Sequence, residues 1–336
     1  MEYRSNGFPV LHHSSTPPRG SMENELRQKA KERLESGGVK AVIGYEAGSM
    51  PFKSTPLFAR TPEEAERLVW NPTCVNNLAV YLPASVKEDK VAVVVKPCDV
   101  KSVVELAKEH QINLEDVTVM VVSCPGVLNL DALGELDLSD VRSIEWHDDG
   151  ISAANGAGEV TIPREKAFAS KCLACEIGEP AIASVKIGEQ PARSPIVDSK
   201  VSVEEYEKMS PAERRAFWAR QFERCIRCYG CRDVCPGCYC KECFVDKPAQ
   251  MWVLRATDPT SNWFFHMTRA MHLAGRCIGC GECERVCPMG IQLSLLGKKL
   301  DIDVKEMFNC APGEDPEALP VFGSFETEDP DPCPEE

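Results

Sequence analysis

The first half of the chain alternates short apolar runs with segments of helical period. Continuous apolar runs predict buried strands, and the segments between them, which begin at capping residues or end at glycine, predict helices. The predicted strands span 39–43, 91–95 and 117–122, and the predicted helices span 23–36, 61–68 and 100–110. This order is typical of an α/β domain with a parallel sheet, in which functional sites lie at the carboxyl ends of the strands. Cys98 and Cys124 lie at two of these ends.

Less regular segments surround these elements. Residues 1–21 show neither helical nor strand period and predict a flexible arm, while residues 141–168, which contain Asn155-Gly156, predict a hairpin excursion. Further helices are predicted to begin at 202, 210 and 262. Residues 306–336 are acidic and proline-rich and contain no Lys or Arg, so we expect this tail to be disordered.

Charge and hydropathy exclude two classes of partner. With 52 acidic against 38 basic side chains the net charge is −14, and no basic stripe is present, so a nucleic acid is not expected to bind. No apolar run reaches the ~18 residues of a membrane span, and the first twenty residues lack the apolar block of an export signal. These features predict a cytoplasmic protein. In that compartment, 18 cysteines are expected to be metal ligands rather than disulfides.

One cysteine motif occurs twice. Three cysteines at three-residue steps are followed by Cys-Pro, first from Cys225 to Pro236 and again from Cys277 to Pro288. This is the spacing of 4Fe–4S ligands, and in two-cluster ferredoxins the fourth cysteine binds the other cluster. A pair of zinc knuckles is the less favoured alternative. The predicted first cysteine set is Cys225, Cys228, Cys231 and Cys287, and the predicted second cysteine set is Cys277, Cys280, Cys283 and Cys235.

The two motifs are separated by a helix, which is unlike a compact βαββαβ ferredoxin. This organisation resembles the α-helical ferredoxin module of succinate dehydrogenase iron–sulfur subunits and of heterodisulfide reductase C subunits. The predicted organisation is a flexible arm at 1–21, an α/β domain at 22–200, an α-helical two-cluster ferredoxin domain at 201–308 and an acidic, proline-rich tail at 309–336.

Four more cysteines lie in the α/β domain. They occur in Lys96-Pro97-Cys98, in Ser123-Cys124-Pro125 and in Cys172-Leu173-Ala174-Cys175, and together they fit one further four-iron cluster. These motifs resemble the beta subunits of deazaflavin-reducing hydrogenases and the related formate dehydrogenase beta subunits. The resemblance implies a third cluster held by the α/β cysteine set, which comprises Cys98, Cys124, Cys172 and Cys175. In that hydrogenase subunit the ferredoxin part comes first, whereas here it follows.

The predicted function is electron relay through iron–sulfur clusters in a cytoplasmic redox complex of an anaerobe. The expected partners are heterodisulfide reductase-like, hydrogenase-like or formate dehydrogenase-like subunits. Two alternatives stay open: a flavin-containing oxidoreductase acting on deazaflavin or NAD(P)H, and a redox sensor. FAD is not favoured, because no Gly-x-Gly-x-x-Gly phosphate loop is present. A fourth cluster is also open, and packing thiols are the favoured interpretation of its candidate ligands Cys74, Cys238, Cys240 and Cys243.

Overall fold

A computed structural model describes most of the chain. The described residues are 12–13, 19–49, 53–87, 89–129, 143–147, 150–155, 158–176, 178–189, 195, 201–246 and 257–323. Across these ranges, no helix combines the length and the apolar character that crossing a membrane requires.

A five-stranded sheet forms the centre of the α/β domain. Its order is β3-β2-β4-β5-β9, in which β2, β4, β5 and β9 run parallel and β3 is antiparallel. The strands are β2 (Ala41–Ala47), β3 (Ser54–Ala59), β4 (Val91–Val95), β5 (Val117–Val122) and β9 (Val185–Ile187). The parallel strands that the sequence predicts are therefore present, and β3 adds an antiparallel strand at one edge. β3 alternates half-exposed with buried residues, as an edge strand does, so it lacks the continuous apolar run that marks the central strands.

Helices cover this sheet and bury its apolar strands. Every residue of β4 is buried, and α4 places Val103, Val104 and Leu106 against the same core. The helices of the α/β domain as a whole are α1 (Arg19–Glu35), α2 (Pro62–Ala65), α3 (Leu82–Ser85), α4 (Val100–Lys108), α5 (Arg164–Ala167) and α6 (Ser170–Leu173). Single 3-10 turns occur at Leu78–Tyr81, Pro97–Asp99 and Leu114–Asp116.

A second, smaller sheet has the order β1-β6-β7-β8. Its strands are β1 (His12–His13), β6 (Ser143–His147), β7 (Gly150–Asn155) and β8 (Gly158–Pro163). β7 and β8 form the hairpin expected around Asn155, while β1 pairs parallel with β6. Both β1 and the start of α1 fall within residues 1–21, where the sequence shows no period.

The helical domain surrounds the two cysteine motifs. Its helices are α7 (Val201–Glu207), α8 (Pro211–Glu223), α9 (Gly230–Asp233), α10 (Pro259–His272), α11 (Glu282–Arg285) and α12 (Leu293–Phe308). α8 begins at a complete capping box, in which Ser210 and Glu213 exchange side-chain and backbone hydrogen bonds. Trp218, Phe222 and Phe265 form the centre of the core between α8 and α10.

The expected disorder of residues 306–336 is wrong as far as residue 323. α12 continues to Phe308, and the chain then packs against the α/β domain. The amide of Gly313 donates to Glu105 Oε1 at 2.6 Å, and Lys101 Nζ lies 3.1 Å from Glu314 Oε1. Composition alone missed this segment because its partners lie on α4, about two hundred residues earlier in the chain. Residues 324–336 lie outside the described residues.

Candidate metal centres

The two cysteine motifs follow the same backbone path. Each passes through two residues in the left-handed conformation before a single helical turn, α9 or α11. In the second motif these residues are Gly279 (φ 67°) and Gly281 (φ 70°), and in the first they are Arg227 (φ 56°) and Tyr229 (φ 60°). This conformation costs a non-glycine residue about 1–2 kcal/mol. Contacts offset that cost, because the Arg227 guanidinium lies 5.7 and 5.8 Å from the ring centroids of Tyr229 and Phe265.

Backbone amides donate to cysteine sulfurs in both motifs. In the first motif, the Arg227 amide donates to Cys225 Sγ at 3.4 Å. In the second, burial raises the pKa of Cys277 to about 11 and that of Cys280 to about 12, and hydrogen bonds from the backbone two residues further on oppose both shifts. Amides aimed at sulfur stabilise the thiolate, which is the form that binds iron. The donor set therefore fits iron–sulfur ligation.

The structure brings the first cysteine set together. Cys231 is 9% exposed, and burial raises its pKa to about 11, with a further contribution from the neighbouring thiols of Cys225, Cys287 and Cys228. All four side chains line one cavity of about 20 Å³. Cys287 of the second motif thus lies with three cysteines of the first.

An aromatic layer packs against the first cysteine set. His266 lines the same cavity and stacks on Phe222, with 4.5 Å between the ring centroids. Burial, aided by the nearby charges of Arg269 and Arg227, lowers the pKa of His266 to about 3. The imidazole is therefore neutral near pH 7 and belongs to the packing of this core.

The second cysteine set is also assembled across the two motifs. Burial raises the pKa of Cys283 well above its usual range, and the thiols of Cys235, Cys280 and Cys277 raise it further. Helix α12 approaches this set closely, because a β-carbon at Gly297 would lie 3.1 Å from Cys277 Sγ. Cys235 of the first motif therefore lies with three cysteines of the second.

The four cysteines considered for a fourth cluster occupy different environments. Cys238 shares a hydrogen bond with Cys235 of the second cysteine set, and this bond lowers the pKa of Cys238. Cys240 is exposed, whereas Cys74 is buried in the α/β core, where its thiol contacts the Ser54 hydroxyl at 3.6 Å. Cys74 is thus a packing thiol. Among the described residues, no three His, Cys, Asp or Glu side chains are placed to hold a single metal ion.

Three members of the α/β cysteine set, Cys98, Cys124 and Cys172, lie at or beside the carboxyl ends of β4 and β5. Burial raises the pKa of Cys98, and the charges of Asp99 and Cys124 add to this shift. The loop after β5 connects two further sulfurs, because the Gly126 amide donates to Cys124 Sγ at 3.4 Å and the Val127 amide donates to Cys172 Sγ at 3.3 Å. The fourth member, Cys175, follows the end of α6.

Lys96 fixes the strand end that carries Cys98. Its side chain is 1% exposed, and its ammonium group lies 2.7 Å from Asp99 Oδ2. It also donates to the Tyr45 hydroxyl at 3.0 Å and to the Asn76 carbonyl at 2.7 Å. The lysine of the Lys-Pro-Cys motif is therefore enclosed by oxygen atoms and joins β4 to β2 and to the loop at 74–76.

The α/β domain meets the helical domain beside the second cysteine set. Lys171 Nζ donates to the carbonyl oxygen of Cys280 at 2.8 Å. Nearby, Tyr239 donates to Glu109 Oε2 at 2.7 Å and accepts from Arg276 Nη1 at 2.9 Å. A cavity of about 30 Å³ lies at this boundary, lined by Ser102, Glu105, Leu106 and Glu109 on one side and by Cys235, Cys277 and Cys280 on the other.

Sequence reasoning missed Arg269 as a residue of the site. It lies on α10, is 8% exposed and donates to the Cys231 carbonyl oxygen at 2.8 Å. Burial opposes its charge, but the neighbouring thiols of Cys235, Cys238, Cys283 and Cys231 raise its pKa. The sequence feature that could have indicated Arg269 is a charged residue on the inner face of a helix that leads into a cysteine motif.

Comparison with known families defines the class of the helical part. The family described as a 4Fe-4S dicluster domain matches residues 224–292, which contain both cysteine motifs. The chain therefore carries a 4Fe–4S dicluster domain, in agreement with the prediction from cysteine spacing.

Two proteins of methanogens are similar along most of the chain. F420-dependent formate dehydrogenase subunit beta of Methanocaldococcus jannaschii is 26% identical, over 87% of this chain and 92% of that protein. F420-dependent formate dehydrogenase 1 subunit beta of Methanococcus maripaludis is also 26% identical, over 87% of this chain and 91% of that protein. The resemblance to formate dehydrogenase beta subunits is thus confirmed. A chain of the F420-reducing NiFe hydrogenase complex from Methanosarcina barkeri is 18% identical, covers 52% of this chain and 68% of its own length, and has a TM-score of 0.34.

Proposed function

We propose that this chain is an iron–sulfur subunit that relays single electrons between a donor subunit and an acceptor subunit of a larger oxidoreductase complex. The observation that carries the proposal is the crossed arrangement of the first and second cysteine sets. Each set combines three cysteines of one motif with the last cysteine of the other. Clusters held in this way are neighbours, as stepwise electron transfer requires. The dicluster match supports the same function.

A third cluster at the α/β cysteine set completes the proposed relay. Cys98 and Cys124 follow neighbouring parallel strands, and Cys172 accepts a hydrogen bond from the loop after Cys124. When bound, 4Fe–4S clusters supply one-electron oxidation and reduction. The protein residues supply the thiolates, the amide donors and the buried setting.

The proposed complex is of the formate dehydrogenase type. Both methanogen relatives are named as beta subunits of F420-dependent formate dehydrogenases, and the similarity extends over nearly all of each protein. A catalytic formate dehydrogenase-like subunit is therefore the first candidate partner, with hydrogenase-like and heterodisulfide reductase-like subunits as the others. Cysteines that serve as iron–sulfur ligands must stay reduced, which favours the cytoplasm of an anaerobe.

The competing function is that of a flavin-containing oxidoreductase subunit. The observation in its favour is the word F420-dependent in the names of both relatives, because F420 is a deazaflavin and exchanges a hydride with flavins. A relay needs no flavin, whereas the oxidoreductase needs one to divide an electron pair into single electrons. The flavin content of the chain therefore separates the two functions.

The test uses the full chain purified under nitrogen. Acid extraction followed by fluorescence measures FAD and FMN, and the same protein is mixed with reduced deazaflavin, with NADH and with dithionite. The relay predicts no flavin, no oxidation of either hydride donor, and reduction by dithionite seen in low-temperature paramagnetic spectra. Near-stoichiometric flavin with turnover of reduced deazaflavin would establish the competing function, and a chain with neither flavin nor reducible iron would contradict both.

A further inference from the structure

Three cysteine sets do not by themselves say which of them exchange electrons directly. The contacts between the two domains indicate which sets are neighbours. The second cysteine set is the one that faces the α/β domain, because Cys235, Cys277 and Cys280 share a cavity with residues of α4. α4 begins two residues after Cys98, so the helix that lines this cavity follows a member of the α/β cysteine set.

Lys171 connects these two sets. It precedes Cys172 of the α/β cysteine set in α6, and its ammonium group donates to the carbonyl oxygen of Cys280 in the second cysteine set at 2.8 Å. The thiol of Cys98 and the carboxylates of Asp99 and Glu282 are close enough to act on the charge of Lys171. One lysine therefore carries a positive charge at the junction of the two domains.

The cavity of the first cysteine set, as far as the structure describes it, contains no residue of the α/β domain. It is lined by residues of the helical domain, at 225–231, 265–266 and 287–293. Cys228 is exposed, and Ile226 beside it is 53% exposed. The first set is thus partly open at the surface of the helical domain.

Arg269 occupies the junction between the first and second cysteine sets. The guanidinium donates to the carbonyl oxygen of Cys231, a member of the first set, at 2.8 Å. It is also close enough to Cys235 and Cys283, both members of the second set, for the thiols to act on its charge. Because Arg269 is 8% exposed, water screens this charge poorly.

Resting on the proposed function, we propose that the three sets form a linear series, with the second cysteine set in the middle, and that Lys171 and Arg269 are the cations of its two junctions. Clusters bound at neighbouring sets would exchange single electrons, and one would be oxidised as the other is reduced, so the exchange would need no further reactant. A reduced cluster carries one more negative charge than an oxidised one. Each junction cation therefore stabilises the reduced form of the two sets beside it.

The order is tested by replacing one junction cation at a time in the full chain. Redox titrations followed by low-temperature paramagnetic spectra measure each set, and Cys172→Ser, Cys235→Ser and Cys287→Ser assign the signals. In Lys171→Gln, we expect the α/β and second sets to become harder to reduce. At a fixed potential, the ratio of reduced to oxidised iron in these sets falls about tenfold, which corresponds to a reduction potential lower by ~59 mV for one electron. In Arg269→Gln, the ratio of reduced to oxidised iron falls by a similar factor in the first and second sets.

Matched controls separate position from charge. Lys186→Gln and Arg215→Gln remove one charge from exposed sites of the α/β and helical domains and leave all three titrations unchanged. Lys171→Arg and Arg269→Lys keep the charge and restore the ratios of the unmodified chain. If Lys171→Gln shifts the reduction potential of the first set, the linear order is wrong. It is also wrong if the potential of the second set changes in only one of the two variants.

A further measurement uses only the unmodified chain, so it does not depend on whether a variant assembles its clusters. In the partly reduced unmodified chain, magnetic interaction is expected to broaden the second set's signal through both neighbours, and the α/β and first sets do not broaden each other. Direct broadening between those two sets would overturn the order. If the chain contains reducible iron but the α/β and first sets broaden each other, only the linear order is contradicted. If the chain contains no iron, the proposed function itself is contradicted.

Discussion

Lys96 stabilises the α/β domain through charge and hydrogen bonding rather than through apolar contact. A buried ammonium group is costly to desolvate, and it is retained here because Asp99, Tyr45 and backbone carbonyl groups surround it. Its position directly before Pro97 and Cys98 fixes the geometry of the strand end from which the α/β cysteine set begins.

Removing Lys96 therefore leaves a buried carboxylate without a counter-charge. Lys96→Met is expected to lower the free energy of unfolding by about 3–5 kcal/mol, whereas the double variant with Asp99→Asn loses less. Denaturant unfolding under nitrogen, followed by circular dichroism, measures both. Lys40→Met is the control, because Lys40 is 71% exposed and lies 3.8 Å from Asp89. Equal losses in Lys96→Met and Lys40→Met would show that the ion pair contributes little.

The left-handed residues of the two motifs give a second test. Gly281 has φ 70° and open space around the position of a β-carbon, so Gly281→Ala introduces backbone strain without a clash. We expect a loss of about 1–2 kcal/mol of stability and weaker retention of iron by the second cysteine set. Gly178→Ala, which also meets open space, lacks a left-handed φ and is the control. Thermal unfolding and iron analysis measure both variants, and identical behaviour would contradict the strain argument.

At the scale of elements, the crossed arrangement of the motifs makes a direct prediction. Cys235→Ser is expected to remove the paramagnetic signal of the second cysteine set, and Cys287→Ser that of the first, because each proline-flanked cysteine lies with the other motif. Low-temperature spectra of the two variants should therefore lose complementary signals. Cys240→Ser, which alters an exposed cysteine outside the sets, should lose neither. If each variant lost the signal of its own motif, exchanged ligation would be wrong.

The elements that the sequence predicted best are those defined by local pattern. The strands predicted at 91–95 and 117–122 have those bounds in the structure, because continuous β-branched runs mark strands buried on both faces. The start of α8 was predictable because Ser210, Pro211 and Glu213 specify it within four residues. β3 was missed because an edge strand with a half-exposed face lacks such a run.

The site was predictable where spacing encodes it and not where packing does. The repeated Cys-x-x-Cys-x-x-Cys pattern indicated both ferredoxin sets, since the chemistry fixes the spacing. The helical pattern marks Arg269 as a charged residue on the inner face of α10, but it does not indicate that this side chain contacts Cys231, nor that Lys171 contacts Cys280 across more than a hundred residues. The contacts of Gly313 and Glu314 with α4 are of the same long range.

At the scale of the whole molecule, the three cysteine sets connect two domains of different architecture. The α/β domain supplies one set at the carboxyl ends of its strands, and the helical domain supplies two. Lys171, the Tyr239–Glu109 hydrogen bond and the segment after α12 hold the domains together beside the second set. In the proposed relay, electrons would therefore pass between the two domains through the second cysteine set.

The central claim is that all three sets hold four-iron clusters, and the most direct measurement is quantitative iron and acid-labile sulfide analysis of the full chain purified under nitrogen. The account predicts about twelve iron and about twelve sulfide per chain, four of each for every set. A count near eight would remove the cluster of the α/β cysteine set, and one near sixteen would add a fourth cluster. A chain that holds zinc or no metal at the ferredoxin cysteines would contradict the account.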